Sequence, residues 1–140
     1  MSKSVIVAVA VLVAAVGGWF WGASGRWAAE RSLQAFELRQ DLVAGRSALL
    51  ETRLDIYGVN FGDASKHLEN ARAFLRRAHD QLKQLDRVED ATQLETALAG
   101  IDDAQRMAAN LDQTANTRSA EVAKIVADVL DAGVKKPIVK

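Results

Sequence analysis

The chain has 140 residues, 49% of them apolar and 26% charged, and its 18 basic residues balance its 18 acidic ones. The absence of cysteine excludes disulfides, thiolate chemistry and Cys-ligated zinc. A single proline, Pro137, in a background rich in Ala, Leu, Arg, Glu and Gln favours helix over sheet. Without Lys3, Lys135, Lys136 and Lys140 the basic count falls from 18 to 14, a net charge of −4, so no concentrated basic face is available for nucleic acid.

A four-residue head (1–4) precedes an uncharged run from Val5 to Gly25, rich in Val and Ala with Ile6 and Leu12. About 20 such residues span a hydrocarbon core of about 30 Å, so residues 5–25 read as a transmembrane helix in contact with lipid. Trp19, Phe20, Trp21 and Trp27 cluster at its far end, where amphipathic rings sit at the membrane interface, and Arg26 closes the span. A cleaved signal peptide is the rival reading, with Ala15-Val16-Gly17 as its small-x-small site. The apolar run continues past that site, which favours an anchor. Ala10, Ala14, Gly18 and Gly22 recur every four residues and define one face on which a second helix can approach closely in lipid. Arg26, Arg31 and Arg39 against Lys3 favour a cytoplasmic domain by the positive-inside rule. The basic head before a long apolar run favours a signal anchor with its domain outside, in a bacterial-type inner membrane, and that orientation is preferred.

Residues 26–134 read as a helical bundle with helices at about 27–57, 63–88 and 91–132, followed by a basic tail at 135–140. The first helix carries two adjacent seven-residue columns. Ala35, Leu42, Leu49 and Ile56 form one, and Phe36, Val43, Leu50 and Tyr57 the other. Together they make the broad stripe of a helix that packs on more than one neighbour. Nothing between Gly25 and Gly58 forbids continuity with the anchor, although Gly45 weakens it. The stretch Gly58 to Asp63 is a turn, with Asp63 as the N-cap of the next helix. That helix has a clean seam of Ala64, Leu68, Ala71, Leu75, Ala78, Leu82 and Leu85.

Thr92-Gln93-Leu94-Glu95 has the spacing of a capping box that opens the third helix. From Leu94 the apolar phase runs unbroken past Gln113–Ser119 to Ala132, with no Gly or Pro in that polar patch. One helix of about forty residues, near 60 Å long, is preferred to a break into a fourth. Its end then overhangs the bundle and exposes Val122, Ile125, Val126, Val129 and Leu130 to a partner. The expected fold class is therefore all-α: one N-terminal transmembrane helix followed by an antiparallel three-helix, alternatively four-helix, coiled-coil-like bundle.

Phe61, Ala64, Leu68 and Ala71 resemble the second half of a tetratricopeptide hairpin over some twenty residues. The pattern is absent thirty-four residues on, where Glu95 replaces the aromatic, so the resemblance implies a helical hairpin and no repeat array. Catalytic signals are thin. His67 and His79 lie about 120° apart round one helix and neither follows a Glu by three residues, so they do not make a di-iron or shared metal site. Asp102 and Asp103 are adjacent and diverge. No phosphate loop or nucleophile–base pair is present. No metal, cofactor or catalytic residue is expected. Lys66, Arg72, Arg76 and Arg77 offer a candidate contact for an anionic headgroup or an acidic partner. The composite expectation is a membrane-anchored interaction or scaffold protein, a small subunit of an envelope or membrane complex. Its partners are lipids and other subunits, including itself, and it associates through its span and its last helix. A ligand- or lipid-binding sensor bundle is the alternative.

Overall fold

A computed structural model describes the backbone of residues 3–135 and the side chains of residues 29–135. The described residues form four α-helices and no strand: α1 (Lys3–Tyr57), α2 (Phe61–Gln84), α3 (Val88–Ala109) and α4 (Ala115–Lys135). They divide into two compact units, Met1–Phe36 and Glu37–Lys140. Among the described residues no helix is long and apolar enough to cross a membrane. The anticipated span at 5–25 lies outside the described side chains, as do its small-residue face (Ala10, Ala14, Gly18, Gly22) and its interface residues (Trp19, Phe20, Trp21, Arg26, Trp27). Tail residues 136–140 are also outside the description.

The second unit is a four-helix bundle. Connections of three to five residues make sequential helices antiparallel neighbours. α4 closes the bundle against α1: Arg53 Nε donates to Asn116 Oδ1 (3.2 Å), and Asn116 Nδ2 donates to the Arg53 carbonyl (2.9 Å). The core takes Leu42, Leu49 and Ile56 from α1 and the whole Ala/Leu seam of α2 from Ala64 to Leu82. α3 adds Leu94, Ala97, Ile101, Ala104 and Ala108, and α4 adds Val122, Val126 and Val129. Two buried hydroxyls are satisfied within their own helices, Thr52 on the Ala48 carbonyl (2.9 Å) and Ser119 on the Ala115 carbonyl (2.8 Å). Phe61, Ala64, Leu68 and Ala71, the residues of the tetratricopeptide-like spacing, are all buried on α2.

The single long helix at 91–132 is corrected. The chain stops at Ala109 and restarts at Ala115, which is the four-helix alternative. Helices α1, α2 and α3 all end in the same way. The amide one residue beyond the left-handed position reaches back five residues: Asn60 to the Asp55 carbonyl (2.8 Å), Arg87 to Leu82 (2.9 Å) and Asp112 to Met107 (2.9 Å). The left-handed residue itself bonds back three: Val59 to Ile56 (3.0 Å), Asp86 to Lys83 (3.2 Å) and Leu111 to Ala108 (3.0 Å). This is the Schellman motif, whose left-handed position glycine usually fills. Here Val59, Asp86 and Leu111 hold it, with φ of 61°, 55° and 57°.

The helix starts are corrected too. Asn60, not Asp63, caps α2, accepting the Asp63 amide at 3.4 Å on its side chain. α3 opens at Val88, so the Thr92–Glu95 box does not form, and Thr92 Oγ1 instead donates to the Val88 carbonyl (2.9 Å). Glu89 and Asp90, which fall between the helices expected at 63–88 and 91–132, occupy the first turn of α3, where carboxylates favour the positive end of the dipole. Asp90 also accepts from Arg87 at 2.7 Å. Asp112 Oδ1 accepts the Thr114 amide (2.8 Å) just before α4.

Two glycines let helices meet closely. A Cβ on Gly45 would stand 2.6 Å from Leu75 Cδ2, and one on Gly100 would stand 2.5 Å from Val122 Cγ2. Gly45, read from sequence as a weakness in α1, is where α1 and α2 touch.

Candidate interaction surface

The two columns of α1 have opposite fates. Leu42, Leu49 and Ile56 are buried. Val43, Leu50 and Tyr57 are exposed, with Leu54 one turn from Leu50; Leu54 is 73% and Tyr57 86% accessible. α1 does meet two neighbours within the bundle, α2 and α4, but with the inner half of the stripe alone. The outer half faces solvent, on the far side of α1 from the core. In the first unit Leu33 and Phe36 are likewise exposed.

The overhang is the reverse. Val122, Val126 and Val129 are buried, and Ile125 and Leu130 pack partly against the core. The break at 110–114 turns α4 back onto α1 and α3, so the apolar stripe expected to meet a partner is internal. That expectation is corrected.

The four candidate cations do not converge. Lys66 pairs with Asp63 (2.8 Å), which raises the lysine's pKa and holds the Asp63 carboxyl below its ordinary value, with a further contribution from Asn60. Arg72 is held by Asp102 and by Gln105. Arg77 pairs with Asp41 (2.8 Å), which pushes the guanidinium's pKa up, and it lies 4.9 Å from the centre of the Phe74 ring. Arg76 is exposed and has no described partner. Three of the four thus serve as links within a helix or between helices.

The Asp41–Arg77 pair sits in an open groove of about 490 Å³ lined also by Glu37, Gln40, Phe74 and Gln81. Both histidines are partly buried, and each lies against two carboxylates. His67 lies 3.0 Å from Glu51 and 3.4 Å from Asp55, linking α2 to α1. His79 contacts Asp80 and, on α3, Glu95, both at 3.1 Å. Among the described residues no group of three His, Asp or Glu side chains is placed to hold a metal ion.

The exposed face of α1 is the feature that sequence reasoning missed. The signal was present, because a second column at seven-residue spacing exceeds what one bundle face absorbs. No protein-family model matches the chain, and neither a curated protein nor a solved structure is significantly similar to it.

Proposed function

We propose that the chain is a membrane-anchored helical interaction protein, a small subunit or scaffold of a membrane or envelope complex. In this reading residues 5–25 anchor it and the bundle presents the outer face of α1 to a protein partner, on the extracytoplasmic side. The carrying observation is the solvent-facing apolar column Val43, Leu50, Leu54 and Tyr57 on a helix whose opposite column already fills the core. A contiguous apolar patch on a complete bundle marks a protein contact. Association through the last helix is dropped from the reading, because Val122, Val126 and Val129 are buried and Ile125 and Leu130 pack partly against the core.

Alkaline carbonate extraction and native electrophoresis of gently solubilised membranes test it. The chain should stay with the membrane pellet and migrate well above its 15.2 kDa mass. A Leu54→Asp/Tyr57→Asp chain should keep its helical signal and migrate as a single subunit. Release by carbonate, or unchanged migration of the double variant, refutes the reading.

The second reading, a ligand-binding bundle, is favoured by the groove at Asp41 and Arg77. Its mark is a loss of ligand-dependent stabilisation in an Arg77→Gln chain whose native migration is unchanged.

A further inference from the structure

We propose that the outer face of α1 pairs with the same face of a second copy of this chain, in parallel and in register. The inference rests on the interaction reading above and names its partner. Gln40, Val43, Ser47, Leu50, Leu54 and Tyr57 alternate by three and four residues, the spacing of a coiled-coil seam, and all six are exposed. With Gln40, Ser47 and Leu54 at a and Val43, Leu50 and Tyr57 at d, the seam is distinct from the one that builds the bundle core. The same spacing continues upstream in the sequence through Phe36 and Leu33.

Two features select a parallel second copy. The first is charge. Arg39, Arg46 and Arg53 occupy g, and Glu37, Ala44 and Glu51 occupy e. In a parallel pair each g residue meets the e residue five positions later on the other helix, which sets Arg46 against Glu51 twice by symmetry. An antiparallel pair sets g against g and e against e, Arg on Arg and Glu on Glu. Arg46 is exposed and has no described partner within its own chain. Glu51 uses Oε2 on His67 and stays about half exposed.

The second feature is polarity. Gln40 and Ser47 at a meet their own counterparts in a parallel, in-register pair, so each polar layer is matched. In an antiparallel pair a faces d, and these residues would lie against Val43 and Leu50. A polar residue at a specifies register at a cost in stability, which suits a pair whose members share one membrane.

The chain's lack of cysteine makes the test direct. Full-length chains carrying Val43→Cys, Leu50→Cys or Glu69→Cys, the last on the exposed face of α2, are oxidised in native membranes. Separate chains carry a photo-crosslinker at Leu50. Disulfide dimers at both seam positions and none at Glu69→Cys are expected. In the Leu50→Cys background Arg46→Glu should lower the dimer yield roughly fivefold, as should Glu51→Arg. The double exchange should restore it, which a merely structural role for either residue does not predict. Disulfides only between mixed Val43→Cys and Leu54→Cys chains indicate antiparallel pairing and overturn the proposal. Photo-crosslinks only to a different protein also overturn it and leave the interaction reading standing. An absence of disulfide and photo-crosslink alike removes both.

Discussion

The outer face of α1 and the inner face of α4 look alike as sequences and end in opposite places. Each is a run of β-branched and large apolar residues at helical spacing. Val122, Val126 and Val129 are sealed in the core, while Val43, Leu54 and Tyr57 face solvent. Periodicity states that a helix has an apolar face, and the connections decide what that face meets. α4 finds its place because five residues at 110–114 reverse the chain, whereas α1 already has α2 and α4 on its inner side and has a second column left over. An amphipathic stripe therefore measures demand for a neighbour, and topology determines whether the neighbour is internal.

Charging the two faces is the sharpest way to break that contrast. Val126→Asp places a carboxylate where no partner or water is available and should cost about 4 kcal/mol, enough to unfold a marginal bundle. Leu54→Asp should change stability by less than about 0.5 kcal/mol. Urea denaturation of the full chain in mild detergent, followed by far-UV circular dichroism, reads both. Similar losses from the two changes that do not depend on protein concentration would mean that the outer face is packed within the monomer, since loss of a pairing contact shrinks on dilution.

The next effect compares the two close helix crossings. Gly100→Ala drives a methyl to within 2.5 Å of Val122 Cγ2, on a β-branched side chain with little freedom to rotate. A loss of about 2 kcal/mol is expected, because the backbones must separate. Gly45→Ala meets Leu75 Cδ2, the end of a longer side chain, and alanine gains about 1 kcal/mol of helix propensity over glycine. Its net change should be under about 1 kcal/mol in either direction. The melting temperatures of the two variants, each against the parent, measure the difference, and equal losses would show that Leu75 is as fixed as Val122.

Much of the bundle was legible. The α2 seam from Ala64 to Leu82 is buried throughout, and the Leu42–Ile56 column points inward. The end of α1 was visible through Gly58 and Asn60, whereas the break after α3 was weighed only as the alternative. The recognisable stop signal is glycine at or beside the left-handed position, and Leu111, which holds that position after α3, carries no such mark. The apolar phase also happens to run through the break, since Ala108, Leu111 and Ala115 keep the three-four spacing while Leu111 itself is exposed. The candidate surface was half legible: the second α1 column was visible as spacing, and its exposure depends on where α4 lands.

Those stops supply a smaller effect. A β-carbon in the left-handed region costs about 1 kcal/mol or more, least for Asp and Asn. Leu111→Gly and Val59→Gly should therefore each stabilise the bundle by about 1 kcal/mol, and Asp86→Gly by less. Thermal melts of the three variants rank them. A destabilising Leu111→Gly would mean that the leucine side chain contributes packing its exposure does not suggest.

The smallest effect separates the bundle's solvent-facing helix starts from its core. Asp63, bonded to Lys66 and Asn60, and Asp112, bonded to Thr114, both have carboxyl pKa values below the ordinary one. A depressed folded-state pKa means that the unfolded chain binds the proton more readily. The contribution is therefore complete above the unfolded value and lost as pH falls through the folded one. Stability should begin to decline below about pH 4. An Asp63→Asn/Asp112→Asn chain should start slightly less stable at neutral pH and show a shallower decline, as read by urea midpoints between pH 6 and pH 3. Asp63 is about half exposed and both carboxylates are screened by water, so the change in slope should be small. An unchanged slope would show that these two carboxylates, unlike the buried face of α4, hold nothing that folding depends on.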